Sequence, residues 1–570
     1  MGSYVSKVWN IKPRTEESVG RQMLVNRGVA PDSFDKFLYP DWDRDTYSPA
    51  GFTNMKAAVK RIFWALETGQ KIVIHGDYDA DGVCGSTVLF TTLREICERM
   101  NMAFNVEVFL PDREHDGYGV AMHTIERLAL EGVKLLITVD CGIANGLELA
   151  RAHELGLEVV ICDHHQMGEH YPDKAIVLHP LAPGETYENK VLCGTGVAFK
   201  LASGLIEEAR SRQASFPVGH EKWLLDLVAI ATVTDVVPLL GENRTLEYYG
   251  LKVLQRTRRP GIKAILKTAG TELAAVDTQA IGFRLGPRLN AAGRLASARF
   301  AFEALAAQTE DEASLAALKL EQLNRERQQI FAGAYEEAKV LADQLKDEST
   351  VLVVHGDTWL PGIVGLIAGR LVSDYGLPAF AFAKVGKNYV GSGRSLGGLH
   401  LVQAMETCGD IFVKRGGHPQ ACGLTLASLE HVNDFRNKIN SFATKHFGVA
   451  GVKDILNIDL ELPFNQVTWD MYNDIQRCAP FGEGNRPPVF AVRDVRVIGA
   501  DTMGTSGSHL RLTVVPPEGG MHKMVGFGFG SLAKKIPLGS AINVAYEVEV
   551  NEWKGNKDLQ FRIVDVQIAD

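Results

Sequence analysis

Residues 71–82 read KIVIHGDYDADG and place an apolar run directly before a cluster of acidic side chains. The first part, KIVIHG, is rich in β-branched residues and ends in glycine, which is typical of a buried strand. Similar runs follow as NVEVFLPD (105–112), LLITVDCG (135–142) and LEVVICDHH (157–165). Helical segments such as TTLREICERM (91–100) separate them. This alternation predicts an α/β fold with a parallel sheet covered on both faces.

The rest of the chain is organised around this sheet. We predict five regions from periodicity and turn residues. They are a helical N-terminal region packed on the first α/β domain (1–70), that α/β domain (71–310), a long connecting helix (311–347), a second α/β domain (348–452) and an all-β region resembling an OB barrel (453–570).

The composition is that of a globular protein of several domains. The 570 residues carry 60 Lys+Arg and 69 Asp+Glu, a formal charge of −9, with 46% hydrophobic residues. These values exclude a disordered chain, a collagen and a coiled coil, and they give no support to a polybasic coat. The most apolar stretch, 224–240, is interrupted by two aspartates and a proline, so we predict no membrane span. The N-terminus has no apolar signal segment and the eight cysteines form no CxxC pair, which indicates reduced thiols and a cytoplasmic location.

Acidic and histidine side chains recur directly after the predicted strands. They are found in HGDYDADG (75–82), VDCG (139–142) and CDHH (162–165). We expect a fourth case in TVTD (232–235), after the apolar run LLDLVAIA. Ligands bind outside the carboxyl ends of parallel strands, so these four segments are predicted to converge on one crevice.

Several carboxylates in one crevice repel each other unless a cation separates them. Carboxylates suit Mg²⁺ and Mn²⁺, and imidazole favours Mn²⁺. The number of candidate ligands leaves room for two ions, an arrangement that catalyses phosphoryl transfer. Each element has a simpler alternative: the DxDxDG run as a calcium loop, Asp140 as a turn or helix cap, and the histidine pair as a surface accident.

Two further features are basic. Residues 251–299 hold ten Lys or Arg and two acids, a local charge of +8, which favours either a phosphate-backbone track or a solvated helix face. GSGRS (391–395) and KRGGH (414–418) are interpreted as glycine-rich loops that expose backbone N–H groups and arginines to phosphates. A tight turn is the simpler alternative for GGH (416–418).

The motifs DYDADG, VDCG, DHH and TD, in that order, resemble the DHH phosphoesterase family. Further segments resemble the RecJ-type single-strand-specific exonucleases of that family, and the resemblance covers essentially the whole chain. These segments are VNRGV (25–29), PDREHDGYGV (111–120), GTGVAFKLA (194–202), VTDVVPLLGENR (233–244), PRLNAAGR (287–294), LPGIVGLIAGRL (360–371), GSGRS (391–395), GGHPQACG (416–423) and PFGEGNRPPVF (480–490).

The resemblance implies the fold named above, with the 348–452 region as the DHH-associated domain. It also implies two-metal hydrolysis of single-stranded DNA from the 5′ end with release of 5′-mononucleotides, in DNA repair and recombination. Mn²⁺ or Mg²⁺ would be the cofactor, with two ions in the site. One ion would be held by His75, Asp79 and Asp140, and the other by Asp81, Asp140, His164 and Asp235.

Other residues would then handle the strand. Asp77 would orient a ligand, and His165 would face the scissile phosphate. Further roles follow from the resemblance for Arg113 and Tyr118 near the 5′ end, Arg294, Ser392 and Arg394 at the 5′ phosphate, and Arg288 and His418 at neighbouring phosphates. Where the family more often has Asn-Pro this chain has His179-Pro180, which we expect to be a tolerated surface change.

The resemblance further implies a monomer that cooperates with a single-strand-binding protein and a RecQ-type helicase. Two alternatives remain at this point. One is a DHH phosphodiesterase acting on short oligonucleotides or cyclic dinucleotides. The other is a non-catalytic DNA-binding scaffold, which the intact motif carboxylates disfavour.

Overall fold

The computed structural model describes residues 7–113, 116–395, 398–447, 455–504, 507–553 and 555–568. The chain divides into two compact units. We call the unit of residues 36–328 and 480–486 the sheet unit, and the unit of residues 1–35, 329–479 and 487–570 the barrel unit. The predicted boundary at 452/453 lies outside the described residues.

The N-terminal region contains a strand that we did not predict. Its elements are β1 (Val8–Ile11), α1 (Val19–Asn26), α2 (Phe34–Leu38), α3 (Trp42–Asp45) and α4 (Met55–Glu67). Strand β1 pairs in parallel with Ile455–Ile458, and residues 1–35 belong to the barrel unit. Residues 8–11 are therefore a strand within the region we expected to be helical, because a partner more than 400 residues away leaves no local pattern.

The sheet unit is built on a five-stranded parallel sheet. Its strands run in the order β3-β2-β4-β5-β6, as predicted from the alternating pattern. The elements are β2 (Ile72–Gly76), α5 (Ala80–Met100), β3 (Val106–Phe109), α6 (Met122–Leu130), β4 (Leu135–Val139), α7 (Gly146–Glu154), β5 (Glu158–Cys162), β6 (Ile176–Leu178) and α8 (Gly194–Ser211).

Both faces of this sheet are covered. Ile72 and Ile74 of β2 share a core with residues of α4, α5 and α8. Val73, which points to the opposite face, packs in a second core with residues of α6 and α7. The register places Gly76 beside Val139, Val139 beside Cys162 and Cys162 beside Leu178, so the carboxyl ends of four strands are level.

A helical region follows the sheet. It consists of α9 (Leu225–Thr234), α10 (Gly241–Leu254), α11 (Pro260–Thr268), α12 (Thr278–Ala280), a π-helical turn (Ile281–Leu285), α13 (Gly286–Leu295) and α14 (Arg299–Ala306). The segment before Asp235 is thus a helix and not the strand we expected. Its apolar residues are buried on all sides, and periodicity does not distinguish such a helix from a buried strand. The predicted connecting helix is α15 (Glu310–Leu345).

The second α/β domain has a mixed sheet in the order β10-β11-β9-β8-β7, in which only β7 and β8 are parallel. Its elements are β7 (Leu352–Gly356), α16 (Val364–Tyr375), β8 (Ala379–Val385), β9 (Asn388–Arg394), α17 (Leu401–Glu406), β10 (Phe412–Gly417), β11 (Ala421–Leu426) and α18 (Leu429–Phe447).

The two glycine-rich segments of this domain are mainly strands, which corrects our interpretation of them as loops. Gly391 and Gly393 lie in β9 opposite Phe382 and Phe380 of β8. A Cβ atom at either glycine would come within 2.4 Å of the facing ring. These glycines therefore make room for aromatic side chains, and their backbone groups belong to the sheet.

The C-terminal region is a barrel. After β12 (Ile455–Ile458), β13 (Leu460–Glu461) and α19 (Trp469–Gln476) come β14 (Phe490–Met503), β15 (His509–Val515), β16 (His522–Gly526), β17 (Ala541–Trp553) and β18 (Asn556–Ile568). The order β14-β15-β16-β18-β17 closes through an additional β14–β17 pairing, with only β16 and β18 parallel within this ring. This closed five-stranded arrangement confirms the predicted OB-like fold.

Among the described residues, we find no helix with the length and apolar character that crossing a membrane requires.

Candidate metal centre

The acidic motifs converge at the carboxyl edge of the sheet unit's parallel sheet. Asp77, Asp140 and Asp163 directly follow β2, β4 and β5. Asp235 arrives from a different element, as the residue that ends α9. All four segments named from the sequence therefore contribute to one site.

Two helix N-termini hold the carboxylates of the first motif. Asp79 caps α5, because its Oδ1 accepts hydrogen bonds from the N–H groups of Asp81 and Gly82 at 2.9 and 3.2 Å. Asp81 accepts the N–H groups of Gly194 and Thr195, at the start of α8, both at 2.7 Å. The helix ends stabilise negative charge at both side chains.

Asp140 has a strained backbone. Its φ is +61°, in the left-handed region that few residues other than glycine adopt. Its N–H donates to the Cys162 carbonyl at 2.8 Å, which ties it to the next strand. A Cβ at Gly194 would come within 2.6 Å of the Asp140 side chain, so this position requires glycine.

His164 lies among three carboxylates. Its Nε2 is 3.2 Å from Asp140 Oδ1, 3.6 Å from Asp235 Oδ2 and 3.8 Å from Asp81 Oδ2. Burial and the neighbouring His165 lower the pKa of His164 to about 4, so its imidazole is neutral and available as a ligand.

Asp163 fixes the position of His165. Asp163 Oδ1 lies 2.9 Å from His165 Nδ1, and accepts the N–H groups of both histidines. Its Oδ2 accepts the Ile143 N–H at 2.9 Å. Although burial disfavours the charged form, the hydrogen bond to Asp163 raises the pKa of His165 to about 9. His165 is therefore an imidazolium at neutral pH, unlike His164.

Among the described residues, three sets of side chains have ligand atoms close enough to share a cation. Within each set the atoms lie within 4.8 Å of one another. The sets are Asp81, His164 and Asp235; Asp77, Asp79 and Asp140; and Asp140, His164 and His165. Asp140 is common to two of them, as expected for a bridging ligand, and Asp77 joins the set for which we expected His75.

His75 lies in β2, is 1% exposed and belongs to none of these sets. Its Nδ1 is 3.6 Å from Cys141 Sγ, and its Nε2 is buried without a hydrogen bond. Burial lowers the pKa of His75 to about 4, so this imidazole is also neutral.

The electrostatics fit divalent cations. Burial, and then the charge of Asp79, raise the pKa of Asp77 well above its usual range. Burial and the charge of Asp81 do the same for Asp140, and raise the pKa of Asp235 to about 9. Asp77 Oδ1, Asp140 Oδ1 and His164 Nε2 are buried without hydrogen-bond partners. Such atoms are costly unless a cation binds them.

Two tyrosine side chains lie beside the candidate metal ligands. Tyr118 packs edge-on against His165 with ring centroids 5.6 Å apart, and lies 6.5 Å from Tyr78. The Arg113 guanidinium covers the Tyr78 ring at 5.1 Å. Tyr118 is 40% exposed, so part of its ring faces solvent next to the site. Residues 114 and 115 of the predicted PDREHDGYGV motif lie outside the described residues.

Helix α13 packs on the acidic loop. Asn290 Oδ1 accepts the N–H of Ala80 at 2.7 Å, and a Cβ at Gly293 would come within 2.2 Å of the Tyr78 carbonyl. This contact brings the helix that carries Arg288 and Arg294 to the metal residues. Arg288 is engaged by Glu321 of α15 at 2.8 Å.

The basic stretch is partly neutralised. Besides Arg288, Arg259 pairs with Asp226 at 3.4 Å and Arg299 with Glu303 at 2.8 Å. The +8 counted from the sequence therefore overstates the charge that faces solvent.

Ser392, Arg394 and His418 lie in the barrel unit. Arg394 donates to Ser392 Oγ at 2.8 Å, and Ser392 donates to the Cys422 carbonyl at 3.0 Å. A Cβ at Gly365, in the first turn of α16, would lie 3.1 Å from the Arg394 guanidinium and 3.2 Å from Ser392 Oγ. The pair thus lies beside a helix N-terminus. His418 follows β10 and donates its N–H to the Ala421 carbonyl at 2.7 Å.

His179 is a residue that we misjudged. It is fully buried and directly follows β6, so it is not a surface position. Its Nε2 lies 2.8 Å from the carbonyl oxygen of His165. The run AIVLHP shows the same signal as KIVIHG, an apolar strand ending in histidine, but we had not identified the three-residue strand β6.

Comparisons with known proteins agree with this geometry. Residues 71–232 match the DHH family N-terminal domain, residues 347–445 the DHHA1 domain and residues 458–565 the RecJ OB domain. The chain is similar to the single-stranded-DNA-specific exonuclease RecJ of Bacillus subtilis, with 35% identity over 96% of this chain and 68% of that protein. It is 30% identical to the Escherichia coli protein of the same name over 90% of each chain.

A solved structure shows the same architecture. RecJ from Thermus thermophilus in complex with Mn²⁺ matches with a TM-score of 0.81 and 26% identity, over 99% of this chain and 80% of that chain. The predicted fold class and resemblance are confirmed, and the chain belongs to the RecJ family of single-stranded-DNA-specific exonucleases.

Proposed function

We propose that the protein hydrolyses single-stranded DNA from its 5′ end and releases 5′-mononucleotides, using two Mn²⁺ or Mg²⁺ ions. The observation that carries the proposal is the buried cluster of carboxylate and imidazole atoms without hydrogen-bond partners. The names of the relatives, which describe single-stranded-DNA-specific exonucleases, support the substrate.

Asp81, His164 and Asp235 would hold one ion together with Asp140. Asp79 and Asp140 would hold the other, with His75 or Asp77 as a further ligand. When bound, two such ions stabilise negative charge on a phosphate and on the leaving oxygen. The proposal also requires the carboxylates to be deprotonated when the ions bind.

His165 would act on the substrate and not on a metal. Its imidazolium, fixed by Asp163, can donate a charge-assisted hydrogen bond to a phosphate oxygen. His164 and His165 are adjacent in sequence, but their different partners separate their roles, since one is neutral and the other is charged.

Tyr118 and Arg113 would bind the bases next to the scissile phosphate. Base faces are available for stacking in a single strand and are covered in a duplex, so a stacking contact favours single strands without reading sequence. The exposed part of the Tyr118 ring and the Arg113–Tyr78 contact support this role.

We carry over from the resemblance the roles of Arg294, Ser392 and Arg394 at the 5′ phosphate, and of Arg288 and His418 at neighbouring phosphates. The Ser392–Arg394 hydrogen bond beside the start of α16 supports an anion at that position. For Arg288 the proposal requires the guanidinium to exchange Glu321 for a phosphate, or to bind both.

The five proposed domain boundaries and the proposed cytoplasmic location rest on the sequence patterns described above. The monomeric state, and cooperation with a single-strand-binding protein and a RecQ-type helicase, rest on the resemblance.

The test is digestion of long strands labelled at the 5′ or the 3′ end, with Mn²⁺ and with a chelator. We expect early release of the 5′ label as a mononucleotide, little cleavage of blunt duplexes and no cleavage with chelator. Asp81→Ala should abolish release while the protein remains folded and binds DNA.

Early release of the 3′ label would contradict the polarity, and wild-type activity in Asp81→Ala would contradict the metal assignment. Faster hydrolysis of dinucleotides than of long strands would favour the alternative, a phosphodiesterase for short oligonucleotides.

A further inference from the structure

His179 is a buried histidine whose two ring nitrogens both have backbone partners. We propose that it is a positioning residue, which holds the loop of Asp163, His164 and His165 in the geometry that the reaction needs. The inference rests on the proposed function, because it assigns a role in the same reaction.

The hydrogen bonds define which nitrogen carries the proton. The Leu181 N–H donates to His179 Nδ1 at 3.0 Å, so Nδ1 has no hydrogen. His179 Nε2 lies 2.8 Å from the His165 carbonyl oxygen and must donate its proton to it. The side chain therefore connects the loop after β6 to the loop after β5.

This link continues the sheet beyond its last paired residues. Strands β5 and β6 are neighbours, and the Asp163 N–H donates to the Leu178 carbonyl at 3.2 Å just past the register of the strands. The His179 side chain then fixes the backbone two residues further, at His165. Asp163 fixes the same residue through its imidazole, so His165 is held at both its backbone and its ring.

Fixing this loop also fixes His164, which lies among the candidate metal ligands. Its Nε2 lies 3.2–3.8 Å from three carboxylates, so a small displacement of the loop would change all three distances. Groups that orient metal ligands are typically worth about 10–100-fold in metal affinity or activity. His179 should therefore affect turnover and metal affinity much more than DNA binding.

The test compares His179→Ala and His179→Asn with Tyr187→Phe. Tyr187→Phe is the matched control, because it removes a buried hydrogen bond to Glu242 in the same unit, away from the proposed metal residues. We expect His179→Ala to lower kcat, and the Mn²⁺ affinity measured by electron paramagnetic resonance, by about 10–100-fold each. KM for a long single strand, and DNA binding in chelator, should stay within about threefold, since His165 is the one proposed DNA contact that His179 holds.

His179→Asn should recover most of the lost activity, because a carboxamide offers both an acceptor and a donor. Tyr187→Phe should lower the melting temperature without changing kcat. If folded His179→Ala keeps wild-type kcat and Mn²⁺ affinity, the role is merely structural and the proposal is wrong.

A second measurement does not depend on any variant folding. Imidazole ¹⁵N chemical shifts of the wild-type protein should show His179 protonated at Nε2, and a proton at Nδ1 would overturn the inference. If the wild-type protein failed to degrade DNA, the proposed function would fail, while the tautomer and the Mn²⁺ affinities would still report on His179.

Discussion

The tripeptide His-Gly-Asp occurs at the carboxyl end of a parallel strand twice in this chain, as His75-Gly76-Asp77 at the end of β2 and as His355-Gly356-Asp357 at the end of β7. At the first position Asp77 is buried, and faces Asp79 and Asp140. At the second, the Asp357 side chain is 62% exposed and has ordinary partners, the Tyr389 hydroxyl at 3.4 Å and Lys384 Nζ at 3.8 Å.

The difference comes from the neighbouring strands. Next to β2 lies β4, which Asp140 directly follows, and then β5, which Asp163 directly follows. Next to β7 lies β8, which turns through Gly386 into the antiparallel strand β9 and brings no acid to the same edge. In this chain the strand-end motif is thus part of a candidate metal site only where adjacent parallel strands supply further acids.

The largest expected loss of activity is at the carboxyl edge of the first sheet, where Asp77 meets Asp140, and not at the exposed Asp357. Asp140→Asn should lower single-strand hydrolysis by at least about a thousandfold, or about 4 kcal/mol of activation free energy, because it removes the shared carboxylate. Asparagine tolerates the positive φ of this position, so the fold should persist. In the metal-free protein the variant should gain melting temperature over wild type as the pH rises, since burial and the charge of Asp81 disfavour ionisation of the Asp140 carboxyl.

The matched control is Asp357→Asn, which should stay within about twofold of wild-type activity because the position is exposed. A comparable loss of hydrolysis in Asp140→Asn and Asp357→Asn would contradict the difference between the two strand ends.

Metal binding should stabilise the first site and not the second. Mn²⁺ at about a hundred times its Kd should add about 2.7 kcal/mol to the free energy of unfolding. Hydrogen exchange should slow around residues 76–81 and 139–142, and remain unchanged around 355–359.

Binding should also release protons. The pKa of about 9 for Asp235 means that this carboxyl holds a proton at neutral pH in the absence of metal, and the pKa values of Asp77 and Asp140 are raised in the same direction. The apparent Mn²⁺ affinity should therefore increase as the pH rises toward 9. Calorimetry in buffers of different ionisation enthalpy measures this release, and a buffer-independent enthalpy would argue against it.

The loop of Asp163, His164 and His165, which follows β5, has no counterpart after β8. The variant Asp163→Asn tests what this loop contributes to turnover. We expect kcat to fall by about tenfold or more, because the His165 imidazolium loses its partner. Wild-type activity should decline as the pH rises through about 9, where His165 loses its proton. In the variant this decline should move to lower pH, since the carboxylate no longer stabilises the charged ring. An unchanged pH profile of kcat would show that His165 does not act as an imidazolium.

The smallest effect on turnover is expected for a substitution of Gly356, the glycine of the second His-Gly-Asp tripeptide. A Cβ at Gly356 would come within 2.2 Å of the Trp359 ring, so Gly356→Ala should cost about 1–3 kcal/mol of stability. The kcat of the folded protein should remain that of wild type. Thermal melts test the loss of stability, and turnover measured well below the melting temperature tests the unchanged kcat. A large loss of kcat would show that the second tripeptide takes part in the reaction.

Much of the candidate site was predictable, because strands that alternate with helices and end in acids predict where ligands gather. Asp140 and the DHH residues were identified in this way. Asp235 was found by its motif although its supporting element was wrong, since a helix buried on all sides has no polar face to reveal its period. His179 was missed because β6 is only three residues long.

The sequence by itself determined which residues are candidate metal ligands and which strand ends carry them, since these follow from residue type and local periodicity. Only the tertiary structure decided which of the two His-Gly-Asp tripeptides meets other acids, that Arg288 is engaged by Glu321, and that β1 pairs with β12. These outcomes depend on contacts between residues far apart in the chain, and such contacts leave no local pattern in the sequence.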